Sequence, residues 1–193
     1  AFSLPFGQGR SACVIITMIH TLGPKTTDSY DAATHIPGVD HPEIQLHPNF
    51  DEIIAALADY AGDQFLLPVA YQSARPDFGW RELCYEYSSQ LELRQVFHRH
   101  LQAMVLIENP QYQKDAAIIH PATENLLRHQ LGAGDYPVDY AGSKAQAYAD
   151  YQALGYRYCI TSAKLLPVNT PVLAKFEPDM VWCLYDILPK SEI

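Results

Sequence analysis

Apolar and polar positions alternate in blocks along the first half of the chain. The stretch Cys13–Ile19 is β-branched and apolar enough for a buried strand, and Leu22-Gly23-Pro24 ends it with a turn signal. Asn49 and Glu52 have the spacing of a capping box in front of an apolar helix face. The predicted elements are, in order, strand Cys13–Ile19, helix Tyr30–His35, strand Glu43–Leu46, a helix from Phe50 to Leu57 that ends before Gly62, and strand Gln64–Ala70.

The second half repeats this alternation after two less regular segments. Tyr71–Ser89 predicts an irregular connection with at most a short helix, and Leu91–Glu108 predicts an almost continuous extended stretch that passes from one sheet to another. The elements predicted beyond it are strand Ala116–His120, helix Thr123–Leu131, strand Val138–Ala141, helix Lys144–Leu154, strand Tyr156–Thr161, and two tail strands at Val172–Phe176 and Met180–Ile187.

Strands that alternate with helices favour an α/β fold with mainly parallel sheets and helices on both faces. Because two such runs are joined by long extended segments, we predict two lobes with an interlobe cleft. The predicted organisation is a disordered or extraneous arm at residues 1–10, a first lobe at 11–97 plus 169–193, and a second lobe at 98–168. Ligands of such sheets bind beyond the carboxyl ends of the strands, so the strand-to-helix turns are expected to face the cleft.

Charge and hydropathy exclude several classes of function. The chain has 193 residues with 13 Lys and Arg against 22 Asp and Glu, so no basic surplus is available for nucleic acid. Its longest apolar run, Ala12–Ile19, falls well short of the ~20 residues that cross a bilayer, and residues 1–10 lack the pattern of a signal peptide. The four cysteines are Cys13, Cys84, Cys159 and Cys183. Their wide spacing favours buried thiols of a reducing compartment, so we expect a cytoplasmic protein without a nucleic-acid or membrane partner.

The turn after the first strand carries groups that suit an anion. Between Gly23 and Ser29 it offers backbone N–H groups and one ammonium, that of Lys25. Its hydroxyls belong to Thr26, Thr27 and Ser29. A carboxylate or phosphate site and ordinary helix capping both explain this composition. It is not a Walker loop, because the Gly-x-x-x-x-Gly-Lys spacing is absent.

Two turns in the second half repeat this arrangement. His120-Pro121-Ala122-Thr123 and Gly142-Ser143-Lys144-Ala145 each lead from a predicted strand into a predicted helix. If one lobe holds one carboxylate and the other lobe holds a second, the protein suits a dianionic small molecule. Three plain helix caps are an equal alternative.

The histidines His98 and His100 share one face of the long extended stretch, with Arg99 opposite. His-x-His can begin a metal site, but no third ligand stands at a recognisable spacing, so we predict no metal. An acid–base or carboxylate-pairing role and plain surface positions are the alternatives. The other histidines are scattered, at His20, His35, His41, His47, His120 and His129. Of the 13 tyrosines, Tyr71 stands directly after a predicted strand and is the first candidate to line the site.

Several segments of this chain share motifs with one enzyme family. One segment is Thr21–Ala33, which contains Leu-Gly-Pro-Lys-Thr-Thr-Asp-Ser, and another is His120-Pro121 in the second half of the chain. The further segments are Phe50–Ile53 with Leu67-Pro68-Val69, and Ser143–Ala147 through Cys159–Ser162. From about Ile15 to Leu166 this order resembles the catalytic domain of prephenate dehydratases, with Thr26 in place of that family's usual Gly. The resemblance implies a two-lobed fold like type 2 periplasmic binding proteins and a prephenate-like ligand in the cleft.

Departures from that family favour a related branch. Dehydratases carry Glu-Asn-Ser where this chain has Ala70-Tyr71-Gln72, and Thr-Arg-Phe where the tail reads Ala174-Lys175-Phe176. Pro68–Tyr71 and His120–Leu126 look closer to the non-aromatising prephenate decarboxylases of bacilysin- and aeruginosin-type antibiotic biosynthesis. We also expect no ACT domain, through which dehydratases sense phenylalanine.

This resemblance implies a cofactor-independent lyase that decarboxylates prephenate to a dihydro-4-hydroxyphenylpyruvate. Such an enzyme expels the ring carboxylate, retains the ring hydroxyl and delivers a proton to a ring carbon, so a proton donor is needed. The predicted catalytic residues are His98, His100, His120 and Tyr71. The predicted substrate-binding residues are Lys25, Thr26, Thr27, Ser29, Thr123, Ser143, Lys144 and Ala145.

Alternatives remain open for the reaction and for the proton. The chain could be a dehydratase that forms phenylpyruvate, or a non-catalytic module that binds a small carboxylate. Water or the substrate's own hydroxyl could deliver the proton, with Tyr71 and Thr26 only orienting the ring. A homodimer is compatible with each of these readings.

Overall fold

The structure is a computed structural model that describes residues 17–132 and 136–189. The predicted arm at residues 1–10 and the start of the first predicted strand lie outside these residues. The strands are β1 Met18–Leu22, β2 Glu43–His47, β3 Gln64–Pro68, β4 Leu91–His100, β5 Met104–Glu108, β6 Lys114–Ile119, β7 Val138–Tyr140, β8 Tyr156–Ser162, β9 Ala174–Phe176 and β10 Asp179–Ile187. The α-helices are α1 Asp28–Ala33, α2 Phe50–Ala55, α3 Trp80–Glu86, α4 Glu124–Leu131 and α5 Lys144–Leu154, with 3-10 helices at Leu57–Tyr60, Pro121–Thr123 and Ala163–Leu165.

The chain divides into two compact units, each with its own five-stranded sheet. The first unit runs to His98 and resumes at Val181, and the second is Arg99–Met180. The assignment of residues 169–180 to the first lobe is therefore wrong. Strand β9 pairs antiparallel with β5, with Met104 opposite Phe176, so its ladder hydrogen bonds belong to the second sheet. Hydrophobic alternation marks such a strand but does not say which sheet edge it joins.

The first sheet has the strand order β2-β1-β3-β10-β4. Strand β1 lies parallel to both β2 and β3, and Leu22 at its end stands opposite His47. Strand β10 runs antiparallel to β3. The predicted parallel strands β2, β1 and β3 are thus present, and the antiparallel β10, whose direction the sequence did not predict, makes the sheet mixed.

The second sheet has the order β7-β6-β8-β5-β9 and is also mixed. Strand β6 lies parallel to β7 and β8, whereas β5 is antiparallel to β8 and β9. The predicted continuous stretch Leu91–Glu108 is two strands, separated by residues 101–103, that enter different sheets. The parallel strands β7, β6 and β8 therefore end at the same edge of this sheet. The turns that lead from these strands into the next helices lie at that edge.

Local sequence signals account for the helix boundaries. Thr27 Oγ1 accepts the N–H of Tyr30, so α1 begins at Asp28, two residues before the predicted start. The predicted N-cap before α2 is present, because the Asn49 side chain accepts the N–H of Glu52. The return bond of a full capping box is replaced by one from the Asn49 side-chain amide to the Glu52 carboxylate. Helix α5 has its predicted bounds, from the Ser143 cap to Gly155 in the left-handed region.

Each unit has its own hydrophobic core. The largest fully buried side chains of the first unit are Ile19, Ile53, Leu57, Phe65, Leu66, Leu67 and Leu83. Those of the second unit are Leu106, Ile107, Ile119, Leu127 and Ile160. Burying one such side chain stabilises the fold by about 1.5–3 kcal/mol. The two cores therefore fix the positions of the strands, and with them the strand ends, within each unit. Within the described residues, no helix is both long and apolar enough to cross a bilayer.

Candidate functional site

The carboxyl edge of the second sheet brings two of the predicted turns together. In the parallel ladder of β6 and β7, Ile119 stands opposite Tyr140, and each is the last residue of its strand. His120 follows β6 directly, and Ser143, three residues after the end of β7, caps the start of α5. The structure therefore places His120 and the start of α5 at the same edge of one sheet, as the strand pattern predicted.

His120 is half-buried in a network of local hydrogen bonds. Its Nδ1 accepts the N–H of Ala122 at 3.2 Å, and its carbonyl accepts the hydroxyl of Thr123 at 2.8 Å. Burial lowers the pKa of His120, and the nearby ammonium of Lys144 lowers it further. His120 is therefore held in its neutral form, with Nε2 as the protonated ring nitrogen. Thr123 is buried with its hydroxyl already committed to His120.

The start of α5 is built as a helix cap. Ser143 Oγ accepts the N–H of Gln146 at 3.0 Å, so the capping interpretation of this hydroxyl is confirmed. Lys144 is half-buried, and its carbonyl accepts the hydroxyl of Thr161 at 2.9 Å. Thr161 is fully buried on β8 and was missed by sequence reasoning; a polar residue in the apolar strand pattern is the signal that marks it. Ala145 is exposed in the first turn.

The turn after β1 in the first unit is also built around a cap. Thr27 Oγ1 lies 3.0 Å from the carbonyl of Leu22 and 2.9 Å from that of Pro24. These contacts, with the acceptance of the Tyr30 N–H, confirm capping for Thr27. The N–H of Gly23 donates to the carbonyl of His47 at 2.8 Å, which ties the turn to β2.

The other predicted binding residues of this turn differ in exposure. Ser29 is buried within α1, whereas Thr26 is exposed. Lys25 is exposed and its ammonium lies 5.8 Å from the ring centre of Tyr30. Among the predicted binding residues of the turn after β1, Lys25 and Thr26 are therefore the ones whose side chains a dissolved ligand can reach without rearrangement.

Tyr71 lies in the core of the first unit rather than on an open surface. Its ring is 6% exposed and packs edge-to-face against Phe50 and Phe78. Its hydroxyl donates a short hydrogen bond to Asp51. Burial raises the pKa of Tyr71, and the carboxylate of Asp51 raises it further, so the hydroxyl stays protonated. The tyrosine is positioned as a hydrogen-bond donor, and its role toward a ligand stays a prediction.

His98 and His100 occupy the end of β4, at the division between the two units. His98 is the last residue assigned to the first unit, and both histidines are exposed. His100 Nδ1 lies 3.0 Å from a carboxylate oxygen of Asp179 in the second unit. Both partners are largely exposed, so this pair contributes little to stability.

His20 and His47 lie in contact in the structure. The prediction that these two histidines are scattered is therefore wrong. Their rings meet across β1 and β2, with His20 Nδ1 2.9 Å from His47 Nε2. His20 Nε2 lies 3.2 Å from a carboxylate oxygen of Asp63. The parallel register places His20 opposite Gln45, so His47 is on the same face two residues along. A histidine directly after each of two successive predicted strands is the signal that could have found the cluster.

Within residues 17–132 and 136–189, no group of three or more His, Cys, Asp or Glu side chains is arranged to hold a metal ion. Among the cysteines that the structure describes, Cys159 and Cys183 are buried and Cys84 is partly exposed, and all three are free thiols. Burial raises the pKa of the Cys159 thiol to about 12, which makes it unreactive at neutral pH.

The fold is similar to those of known enzymes and transport proteins. No family model matches this sequence, and no curated protein sequence matches it significantly. The prephenate dehydratase of Arthrobacter aurescens in complex with L-Phe superposes with a TM-score of 0.57 at 15% identity, over 91% of this chain and 63% of that one. The prephenate dehydratase of Staphylococcus aureus gives 0.50 at 17% identity, over 88% and 67%. An ABC transporter structure from Parabacteroides distasonis gives 0.57 at 16% identity, over 89% and 66%.

These likenesses define the fold class. The chain has an α/β fold like that of these prephenate dehydratases and of the ABC transporter structure, with two sheets of mixed topology. It spans 63% and 67% of the lengths of the two dehydratases. At such low identity the fold alone is shared, because one fold hosts many activities.

Proposed function

We propose that this protein is a non-aromatising prephenate decarboxylase that acts without a cofactor in specialised, antibiotic-type metabolism. The observation that supports it best is the edge of the second unit, where the Lys144 cation lies beside a neutral, half-buried His120. An ammonium at a helix start suits one carboxylate of a small dianion. One of the two segments that resemble prephenate decarboxylases, His120–Leu126, begins at this histidine.

The tail of the chain favours decarboxylation over dehydration. Dehydratases have a Thr-Arg-Phe motif, whose hydroxyl can assist departure of the ring hydroxyl group. Here Ala174 occupies the threonine position on β9, and Lys175 is ion-paired with Glu177 at 2.8 Å. An alanine offers no proton, so the substrate hydroxyl is retained and the ring does not become aromatic.

Loss of the ring carboxylate leaves an electron pair that forms a new double bond at the same ring carbon. The neighbouring ring double bond opens and its far carbon takes up a proton, so the reaction itself needs no cofactor. The protein has to bind the pyruvyl carboxylate, exclude water around the ring carboxylate and supply one proton to a ring carbon. We assign Lys144 and the N–H groups at the start of α5 to the pyruvyl carboxylate. Lys25, Thr26 and the cap at Thr27 are the corresponding candidates in the first unit.

One incubation separates this proposal from its alternatives. The protein is mixed with prephenate, and ultraviolet spectra are recorded before and after acid and base treatment. We expect a non-aromatic keto acid. Phenylpyruvate before acid treatment would establish the dehydratase that the superposition with two dehydratases favours. Unchanged prephenate with measurable binding would establish a carboxylate-binding module, as the similarity to a transporter structure favours.

A variant pair then tests the site. Lys144→Met removes the cation and should raise KM for prephenate by about 10-fold or more, because a hydrogen bond to a charged group is worth about 1.5–3 kcal/mol. His129→Gln is the matched control, because His129 is exposed on α4. Equal kinetics for both variants would contradict the assignment of Lys144.

A further inference from the structure

The histidine cluster of the first unit is a continuous hydrogen-bonded chain. Asp63 accepts the backbone N–H of Met18 with one carboxylate oxygen, at 3.0 Å, and lies 3.2 Å from His20 Nε2 with the other. His20 Nδ1 is 2.9 Å from His47 Nε2. The Tyr60 ring stacks on His20 with 4.0 Å between ring centres. Each ring of the chain is thus held in orientation by packing as well as by hydrogen bonds.

The Asp63 carboxylate determines which ring nitrogens of the two histidines carry protons. The Asp63 carboxylate can only accept, so His20 must carry its proton on Nε2 and present a bare Nδ1. His47 Nε2 then donates to that Nδ1, which leaves the Nδ1 of His47 bare in the neutral state. Among the described residues, no partner binds this outer nitrogen.

The buried member of the cluster is its middle one. His20 is 3% exposed, whereas the Asp63 side chain is 31% exposed, and His47, the last residue of β2, is half-buried. The carbonyl of His47 binds the N–H of Gly23, at the start of the turn that holds Lys25 and Thr26. The His47 end of the cluster therefore belongs to the carboxyl edge of the first sheet, where ligands of such sheets bind.

We propose that Asp63, His20 and His47 form a proton relay that ends in an acid–base group, His47 Nδ1, at the carboxyl edge of the first sheet. A proton taken up at His47 Nδ1 is matched by transfer of the Nε2 proton to His20, whose cation then lies beside the Asp63 carboxylate. Reversal of these steps returns one proton outward. That the acceptor is the ring carbon of a decarboxylated keto acid rests on the proposed function.

The electrostatics favour one mobile proton in this cluster. Two imidazolium rings at hydrogen-bond distance repel each other, so the pair holds one positive charge at a time. Burial lowers the pKa of His47, and neighbouring His20 lowers it further, while Glu52 on α2 opposes both. The groups that face the pair are Glu52, Tyr60 of the 3-10 helix and Asp63 before β3. A histidine with a lowered pKa gives up its proton readily once charged.

The relay is tested first without substrate. Nitrogen-15 NMR of the histidine side chains distinguishes protonated from bare ring nitrogens, and we expect Nε2–H with bare Nδ1 in both His20 and His47. Asp63→Asn should remove this preference and shift the titration of His47. Asp59→Asn is the matched control, because Asp59 is exposed in the adjacent 3-10 helix. A wild-type His47 protonated on Nδ1, or no change in Asp63→Asn, would overturn the relay.

Its acid–base role is tested with prephenate. His47→Gln should lower kcat/KM by ~10²-fold or more, the usual contribution of a positioned acid or base. A donor works in its protonated form, so kcat/KM falls as pH rises. In Asp63→Asn the histidine pair binds its proton less tightly, because the carboxylate charge is gone. The midpoint pH of the decrease in kcat/KM should therefore be lower by about 1 pH unit or more. Asp59→Asn should leave the midpoint in place.

Two outcomes separate the relay from the reaction. Full activity and an unchanged pH profile in His47→Gln would overturn the acid–base role, even if NMR finds the chain of protons. If wild-type protein leaves prephenate unchanged, the proposed function and the relay's substrate are both wrong, and the NMR titration alone decides whether the relay exists. Far-ultraviolet circular dichroism of each variant verifies that the first unit is folded.

Discussion

Replacing Tyr71 by Phe removes one hydroxyl and leaves the packing of the ring in place. That hydroxyl donates to Asp51, whose second carboxylate oxygen accepts the N–H of Ala74 at 3.1 Å. The change therefore isolates one charge-assisted hydrogen bond in the first unit. It also leaves no cavity, because the ring keeps its edge-to-face contacts with Phe50 and Phe78.

The expected loss is about 1–2 kcal/mol. A hydrogen bond to a charged group contributes about 1.5–3 kcal/mol, and the partly exposed Asp51 recovers some of this from water. For a chain of this length that loss corresponds to a decrease of roughly 2–8 °C in Tm. Tyr85→Phe is the control, because Tyr85 is 82% exposed and should leave Tm unchanged.

The pH dependence of this loss provides an independent check. Burial raises the pKa of Asp51, but hydrogen bonds from Tyr71, Ser73 and the Ala74 N–H outweigh it and hold the pKa below its ordinary value. A depressed carboxyl pKa stabilises the fold above the unfolded-state value, and this contribution is lost as pH falls through the folded-state value. The difference in stability between wild type and Tyr71→Phe should therefore shrink in acid. A difference that stays constant, or is absent at neutral pH, would refute the reasoning.

Three further changes test other parts of the molecule. Lys144→Met should raise the pKa of His120 in an NMR titration but leave it below its ordinary value, because burial is the larger cause. Leu106→Ala should cost about 2–5 kcal/mol in denaturant unfolding, since this core side chain of the second unit is fully buried. Gly155→Ala should cost about 1–2 kcal/mol, because the residue has φ +63° and a Cβ would lie 3.0 Å from a neighbouring side chain, whereas Gly142→Ala meets nothing within 4 Å.

Short-range patterns predicted most of the elements because their signals are local. The Ser143 cap and the Gly155 stop gave α5 its bounds, and the Asn49 cap placed the start of α2. Sheet membership depends on pairing between distant strands, and this information is not local. That is why β9 was assigned to the wrong lobe and why antiparallel β10 was unexpected.

The candidate site, like the fold, could be predicted from the sequence only where the signal is local. His120, Ser143 and Lys144 follow strands within strand-to-helix turns, so sequence order alone places them at one edge. The contact between His20 and His47 depends on the parallel register of β1 and β2, and no spacing along the chain encodes it. The burial of Tyr71 was not predicted, because a residue just after a strand can turn into the core as readily as toward a ligand.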